Sequence, residues 1–309
     1  MSRTAFITHP DCLLHRVGSI HPESPDRITE ILDQLTGSGL DGLLDMRDDV
    51  PQAAPEQLYR AHSPAYVDDL FEISPETGIR HLDPDTAMMP QTLKAALRAA
   101  GAGIHATELV LDGRIHNAFC AVRPPGHHAE RLRAMGFCFF NNVAVAAHHA
   151  LSVGGLERVS IIDFDVHHGN GTENIFIAEP RVQMLGFFQH PLYPYCGTKI
   201  VAPNILNSAF PAGTRGDKVR ELLTHVWIPA LERHAPQMIF ISAGFDAHYE
   251  DEMASMGLVD ADYAWITREL RQWADAHCGG RIVSMLEGGY SLPALGRSAL
   301  AHIRALADI

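Results

Sequence analysis

The chain has 309 residues, 46% of them apolar and 20% charged, enough to bury a sizeable core in a single large α/β domain spanning residues 1–309. With 37 acidic against 24 basic side chains the formal net charge is −13, which argues against nucleic acid or an anionic membrane as partner and tolerates a basic substrate. No run approaches a membrane-spanning length, the opening "MSRTAFITHPDCLLHR" lacks a secretory apolar stretch, and five scattered cysteines without a C-x-x-C pair fit a reducing, cytoplasmic setting.

Strand and helix patterns alternate along the chain. A β-rich run at Thr4–Thr8 precedes a helix over Ser24–Thr36, with Ser24 placed as N-cap and Pro25 at the first helical position. A helix over Pro90–Leu111 leads to a strand at Asn117–Val122, and a helix over Asn141–Val153 leads to a strand at Val159–Asp163. The strand at Val182–Phe187 runs into Phe188–Pro211, which reads as a long loop. There follow a helix over Asp217–His234, a strand at Met238–Ser242, a helix over Asp260–His277, a strand at Arg281–Leu286 and a helix over Leu292–Ala307. This order predicts a mostly parallel sheet with helices on both faces.

Four of the strands end in unusual polar sequence. "RPPGHHA" follows Val122, "FDVHHGNGT" follows Asp163, "AGFDAH" follows Ser242 and "EGGY" follows Leu286. Ligands of open parallel sheets bind beyond the carboxyl ends of the strands, so four such clusters can converge on one pocket.

"DFDVHHGNGT" (Asp163–Thr172) carries two carboxylates and two histidines within six positions. Alternation along an extended chain puts Asp163, Asp165 and His167 on one side, with Phe164, Val166 and His168 on the other. Asp165 and His167 can then offer oxygen and nitrogen to a cation, Asp163 stands behind them, and Asp246 of "SAGFDAH" supplies a third ligand. Two carboxylates and an imidazole with an open position suit a catalytic Zn²⁺, or Fe²⁺ or Co²⁺. His127 and His128 lie in a loop fixed by glycine and proline, where one imidazole can serve as base and acid and the other as a charged support. Tyr290 follows two glycines and can steady an oxyanion developing on a substrate carbonyl. A third pair, His148–His149, sits in the alanine- and valine-rich "NNVAVAAHHALSV" with no acidic partner at ligand spacing and reads as structural, as does His168.

These residues resemble the histone deacetylase family on its three-layer arginase/deacetylase fold, in particular its class II and bacterial amidohydrolase branch. The matching segments are "HPESPDR" (His21–Arg27), "RPPGHHAERLRAMGFCFFNNVAVAA" (Arg123–Ala147), "DFDVHHGNGT", "SAGFDAH" and "EGGY". The resemblance implies zinc on Asp165, His167 and Asp246. It implies an electrostatic role for His127 held by Asp163, a general base and acid in His128 supported by Asn170, and carbonyl polarisation by Tyr290. It further implies that Gly136 and Phe137 line an acyl-lysine channel, with Tyr193 or Tyr195 opposite, and that Asp163 adjoins a structural K⁺ site. "FFQHPLYPYCGT" is spelled differently from the family's usual segment, which leaves the opposite wall open between the two tyrosines.

The activity so implied is metal-dependent hydrolysis of an acyl-lysine amide in a protein or peptide. The nearest alternative is hydrolysis of acetylated polyamines, which benefits from an acidic gatekeeper at the pocket mouth. The comparable position counts to Met253, and a slip of one residue places Glu252 there. A silent acyl-lysine-binding scaffold is the alternative from another class, disfavoured because every ligand and the tyrosine are present. No apolar stripe marks an oligomer interface.

Overall fold

A computed structural model describes residues 4–18 and 21–309; the first three residues of the N-terminal stretch lie outside it. The strands are β1 (Thr4–Ile7), β2 (Asp45–Arg47), β3 (Arg80–His81), β4 (Ala87–Met88), β5 (Asn117–Cys120), β6 (Val159–Asp163), β7 (Val182–Gln189), β8 (Ile205–Phe210), β9 (Ile239–Ala243) and β10 (Ile282–Leu286). The helices are α1 (Asp26–Ser38), α2 (Pro55–Leu58), α3 (Pro64–Ile73), α4 (Thr92–Leu111), α5 (Asn142–Ser152), α6 (Asn170–Phe176), α7 (Gly216–Leu222), α8 (Ile228–His234), α9 (Asp260–His277) and α10 (Leu292–Ala307).

Eight strands form one sheet in the order β2-β1-β5-β10-β9-β6-β7-β8, and every pairing in it is parallel. Because side chains alternate across a strand, each central strand feeds two cores. Phe240, Val283 and Met285 pack with α4 and α5, whereas Ile239, Ile241, Ile282 and Leu286 pack with α1, α9 and α10. This is the helix-covered parallel sheet that the alternation of elements predicts. The strands bearing the polar clusters, β5, β10, β9 and β6, are neighbours in the sheet. Their carboxyl ends therefore open onto one region.

Three differences from the sequence reading have physical causes. Phe188–Pro211 is not all loop: β7 continues to Gln189 and β8 forms the sheet edge. β8 reads poorly as a strand because its partly exposed Asn207 and Ser208 suit an edge that solvent reaches. The helix expected over Asp217–His234 is interrupted by a π-helical turn at Leu223–Trp227, where Pro229 removes a backbone donor from the next turn. Helix α1 starts at Asp26 with Pro25 as its cap, and the Ser24 carbonyl accepts the Arg27 N–H at 3.2 Å.

One buried charge cluster ties the start of α1 to the central strands. Glu23, Arg27 and Arg123 are each 0% exposed. Glu23 accepts from Arg27 Nη1 at 3.2 Å through Oε1 and from Arg123 Nη2 at 2.7 Å through Oε2. Arg123 also donates to the Cys12 and His15 carbonyls at 2.7 and 3.1 Å. Burial works to raise the Glu23 pKa, but Arg123 and then Arg27 outweigh it and bring it to about 2. A carboxyl so depressed contributes stability that is full above its ordinary value of 4.5 and is lost as pH falls toward 2. Glu23→Gln leaves two buried guanidinium groups without a counter-charge, so urea unfolding at neutral pH should show a loss of about 3–5 kcal/mol. The same variant should lose the part of the acid dependence that lies below pH 4.5. Wild-type stability for Glu23→Gln at pH 7 would sink this account of the cluster.

Candidate active site

Past β6 the chain does not stay extended. Asp163 Oδ1 accepts the Asp165 N–H at 3.1 Å and Asp165 Oδ1 accepts the His167 N–H at 2.8 Å, so successive side-chain turns curl the backbone. The curl keeps alternate residues together. Phe164 and Val166 are fully buried in the apolar core, and Asp163, Asp165 and His167 gather on the opposite side. Asp246 arrives from the loop after β9, where its Oδ1 accepts the Val166 N–H at 3.0 Å.

One ligand atom from each of Asp165, His167 and Asp246 lies within 4.8 Å of the others. His167 Nδ1 is 3.0 Å from Asp165 Oδ1 and 3.1 Å from Asp246 Oδ2. Both carboxylates are 0% exposed, and among the described residues neither pairs with a lysine or arginine. Burial opposes charge on the His167 ring, yet hydrogen bonds to Asp165 and Asp246 pull its pKa up to about 10. Burial likewise lifts Asp246 to about 6. Two buried carboxylates and an imidazole aimed at one point demand positive charge there, and the donor set fits a divalent cation such as zinc.

His127 and His128 stand beside this group with ring centroids 4.0 Å apart, and their surroundings differ. His127 Nδ1 lies 3.0 Å from Asp163 Oδ2. Burial resists charge on it, but Asp165 and Asp163 raise its pKa well above the ordinary value. His128 is pushed well below the ordinary value, first by burial and then by the charges on His127 and His167. Its Nδ1 is 2.8 Å from Asn170 Oδ1. Asn170 Nδ2 donates to Glu130 Oε1 at 2.8 Å, which fixes the amide orientation and makes Oδ1 the acceptor. His128 therefore carries its proton on Nδ1 and leaves Nε2 free as a base. His168 points elsewhere, 3.3 Å from Cys196 Sγ and 3.2 Å from Glu173. His148 packs against Phe176, and His149 pairs with Glu108 at 3.1 Å.

A cavity of about 250 Å³ opens onto His128 and His167, walled by Gly136, Phe137, Tyr193, Met253 and Tyr290 with Asp85 also on its lining. Tyr193 turns its ring edge-on to His128 at 5.2 Å. Tyr195 has φ +62°, is 73% exposed and does not line the cavity, so that candidate is corrected: the turn after Pro194 points it to solvent. Met253 and Tyr290 line both this cavity and an adjoining one, whose wall also carries Glu250, Asp251 and Glu252.

Several residues that hold the site escaped the sequence reading. Asp251 accepts the Tyr290 and Ser291 N–H groups at 2.6 and 3.0 Å, and Arg27 stacks 4.9 Å from the Tyr290 ring while donating to the Gly289 carbonyl at 2.6 Å. Glu287 accepts the Gly126 and His127 N–H groups at 2.6 and 3.0 Å. Arg27 and Glu287 lie within recognised segments, but only the fold gives them partners. Burial pushes the Tyr290 phenol well above its ordinary pKa, so it remains a donor.

Residues 21–306 match the family model for the histone deacetylase domain. The chain is 35% identical to a histone deacetylase-like amidohydrolase of Pseudomonas aeruginosa, over 99% of this chain and 87% of that protein. It is 33% identical to the polyamine deacetylase HDAC10 of Mus musculus, over 98% of this chain and 48% of that protein. Among solved structures, that of the HDA15 HD domain superposes with a TM-score of 0.92 at 32% identity, covering 99% of this chain and 88% of that one. The sheet and its helices are accordingly the arginase/deacetylase fold, and the chain belongs to the histone deacetylase family of hydrolytic deacetylases.

Proposed function

We propose that the protein is a zinc-dependent deacylase that removes acetyl or other acyl groups from the ε-amine of lysine in proteins or peptides. The observation that carries this reading is the arrangement beneath the cavity: a buried cation-demanding triad, with the neutral His128 and the phenol of Tyr290 opening onto the same space. Asp165, His167 and Asp246 would hold the ion, and Fe²⁺ or Co²⁺ would fit the same donors. Zn²⁺ bound there supplies Lewis acidity toward the acyl oxygen and makes water acidic enough to attack near neutral pH.

The chain's own residues do the rest. His128 Nε2 takes the proton of the attacking water, and the ring delivers it to the departing amine. Asn170, fixed by Glu130, keeps the tautomer that makes this possible. His127, charged against Asp163, supports the developing negative charge. Tyr290 donates its O–H to the acyl oxygen as it becomes an oxyanion. Phe137, Tyr193 and Met253 give the cavity apolar walls that suit a methylene stem and exclude water. Five free cysteines, four of them buried, support a reducing, cytoplasmic setting.

A second reading, acetylated polyamines as substrate, draws support from the mouse relative's name. Against it stands apolar Met253 on the wall of the cavity that reaches His128 and His167, a wall that Glu252 does not join although it lines the adjoining cavity that shares Met253 and Tyr290. The deciding experiment measures turnover of an acetyl-lysine peptide, acetylputrescine and acetylspermidine before chelation, after it and after zinc add-back. Chelator-sensitive turnover that favours the peptide is expected; preference for either polyamine would replace the lysine reading. His128→Ala and Tyr290→Phe should each lower kcat at least ~10-fold without loss of fold, and near-normal turnover in either would remove that residue's role. Gly288→Ala tests the metal site directly. An added Cβ there would stand 2.1 Å from Asp246 Oδ2 and 2.6 Å from Asp165 Oδ2, forcing two ligands aside. Competition with a chromophoric chelator should show zinc bound at least ~10-fold more weakly. Unchanged affinity would mean that these carboxylates do not hold the ion.

A further inference from the structure

The wall of the cavity that carries Phe137 is built on an unfavourable backbone. Met135 and Cys138 exchange both backbone hydrogen bonds, at 3.2 and 3.0 Å, so Gly136 and Phe137 form a two-residue hairpin turn. Both have positive φ, +57° and +67°, the pattern of a type I′ turn. Gly136 suits its place, since a Cβ there would stand 2.4 Å from the His128 ring. Phe137 does not: a bulky residue rarely adopts the left-handed region, and nothing within this two-residue turn compensates it. Its ring nonetheless stands at the cavity, 4.7 Å from the His21 ring and 6.1 Å from that of Tyr290.

What holds the turn comes from a different element. The short antiparallel hairpin of β3 and β4 presents Asp85 and Thr86 at its tip. Asp85 Oδ1 accepts the Gly136 N–H at 3.0 Å, and Thr86 Oγ1 accepts the Phe137 N–H at 3.0 Å. The Thr86 hydroxyl in turn donates to Asp85 Oδ1 at 2.7 Å, so one carboxylate and one hydroxyl grip two consecutive amides. Thr86 is 1% exposed and does not line the cavity, whereas Asp85 does.

We propose that Thr86, through its hydrogen bond to the Phe137 amide, is a positioning residue that holds the strained Gly136–Phe137 turn and thereby sets the place of the channel wall. The inference rests on the reading of Phe137 as a wall of the acyl channel. A displaced wall weakens binding of ground state and transition state alike, so it raises KM and leaves kcat in place. Loss of folded protein, by contrast, lowers the apparent kcat and leaves KM unchanged.

The experiment is a double-mutant cycle on the zinc-loaded full chain with an acetyl-lysine peptide. Thr86→Val keeps the shape and removes the hydroxyl; it should raise KM about 5-fold with kcat within about 2-fold, the effect of one lost hydrogen bond. Thr86→Ser should restore both constants. Phe137→Ala should raise KM by itself, and adding Thr86→Val in that background should change KM by less than about 2-fold. If Phe137→Ala raises KM and Thr86→Val does not, or if the two effects multiply independently, the positioning role is overturned while the channel reading stands. If Phe137→Ala leaves KM unchanged, the channel reading fails and takes the inference with it. Should Thr86→Val not fold, as judged by near-UV circular dichroism, the cycle run with Thr86→Ala carries the same expectations.

Discussion

Two fully buried carboxylates of like charge, Asp165 and Asp246, are brought into contact with one imidazole. Ionised groups in such a place are costly unless paired, and removal of one partner is more costly than the pair itself. Much of the surrounding structure can be understood as meeting that demand. The Gly288 N–H points at Asp165 Oδ2 at 2.8 Å, the Val166 N–H at Asp246 and the His167 N–H at Asp165. These backbone donors come from the ends of β6 and β10. A parallel sheet aims all its strand ends in one direction, which is why this fold can collect so many around a single point.

The same field separates two adjacent histidines that sequence alone makes equivalent. His127 faces Asp163 and Asp165 and is held charged; His128, buried against an amide and the charged His127 ring, is held neutral. The difference resides in Asp163 and in the chain from Glu130 through Asn170. Neighbours thus give two adjacent residues of one type opposite protonation states.

How much of this could be read beforehand follows from where the physical signal lies. The six interior strands are legible because burial on both faces makes them continuous apolar runs. The edge strands β2 and β8 are not, since charged Asp45 and Arg47 or polar Asn207 and Ser208 look like loop. The period-2 alternation suffices to group Asp163, Asp165 and His167, although the backbone reaches that grouping through turns. The choice between Tyr193 and Tyr195 depends on a backbone twist that no local pattern announces. Glu130, Asp251, Glu287 and Thr86 act through partners 39 to 161 positions away, or 51 in the case of Thr86, and no spacing rule links such pairs.

The grip of Arg27 on the loop of Tyr290 bears on how the molecule comes to be active. Its bond to the Gly289 carbonyl spans 262 positions, and that to the Glu287 carbonyl spans 260. Contacts so distant along the chain carry a large loop-closure entropy, which nearer pairings lower once they are made. The tyrosine loop is thus fixed only when the first helix and the last strand have found each other. On the role proposed for Tyr290, a chain that has collapsed around its central strands but not closed this contact would have most of the fold and little of the function.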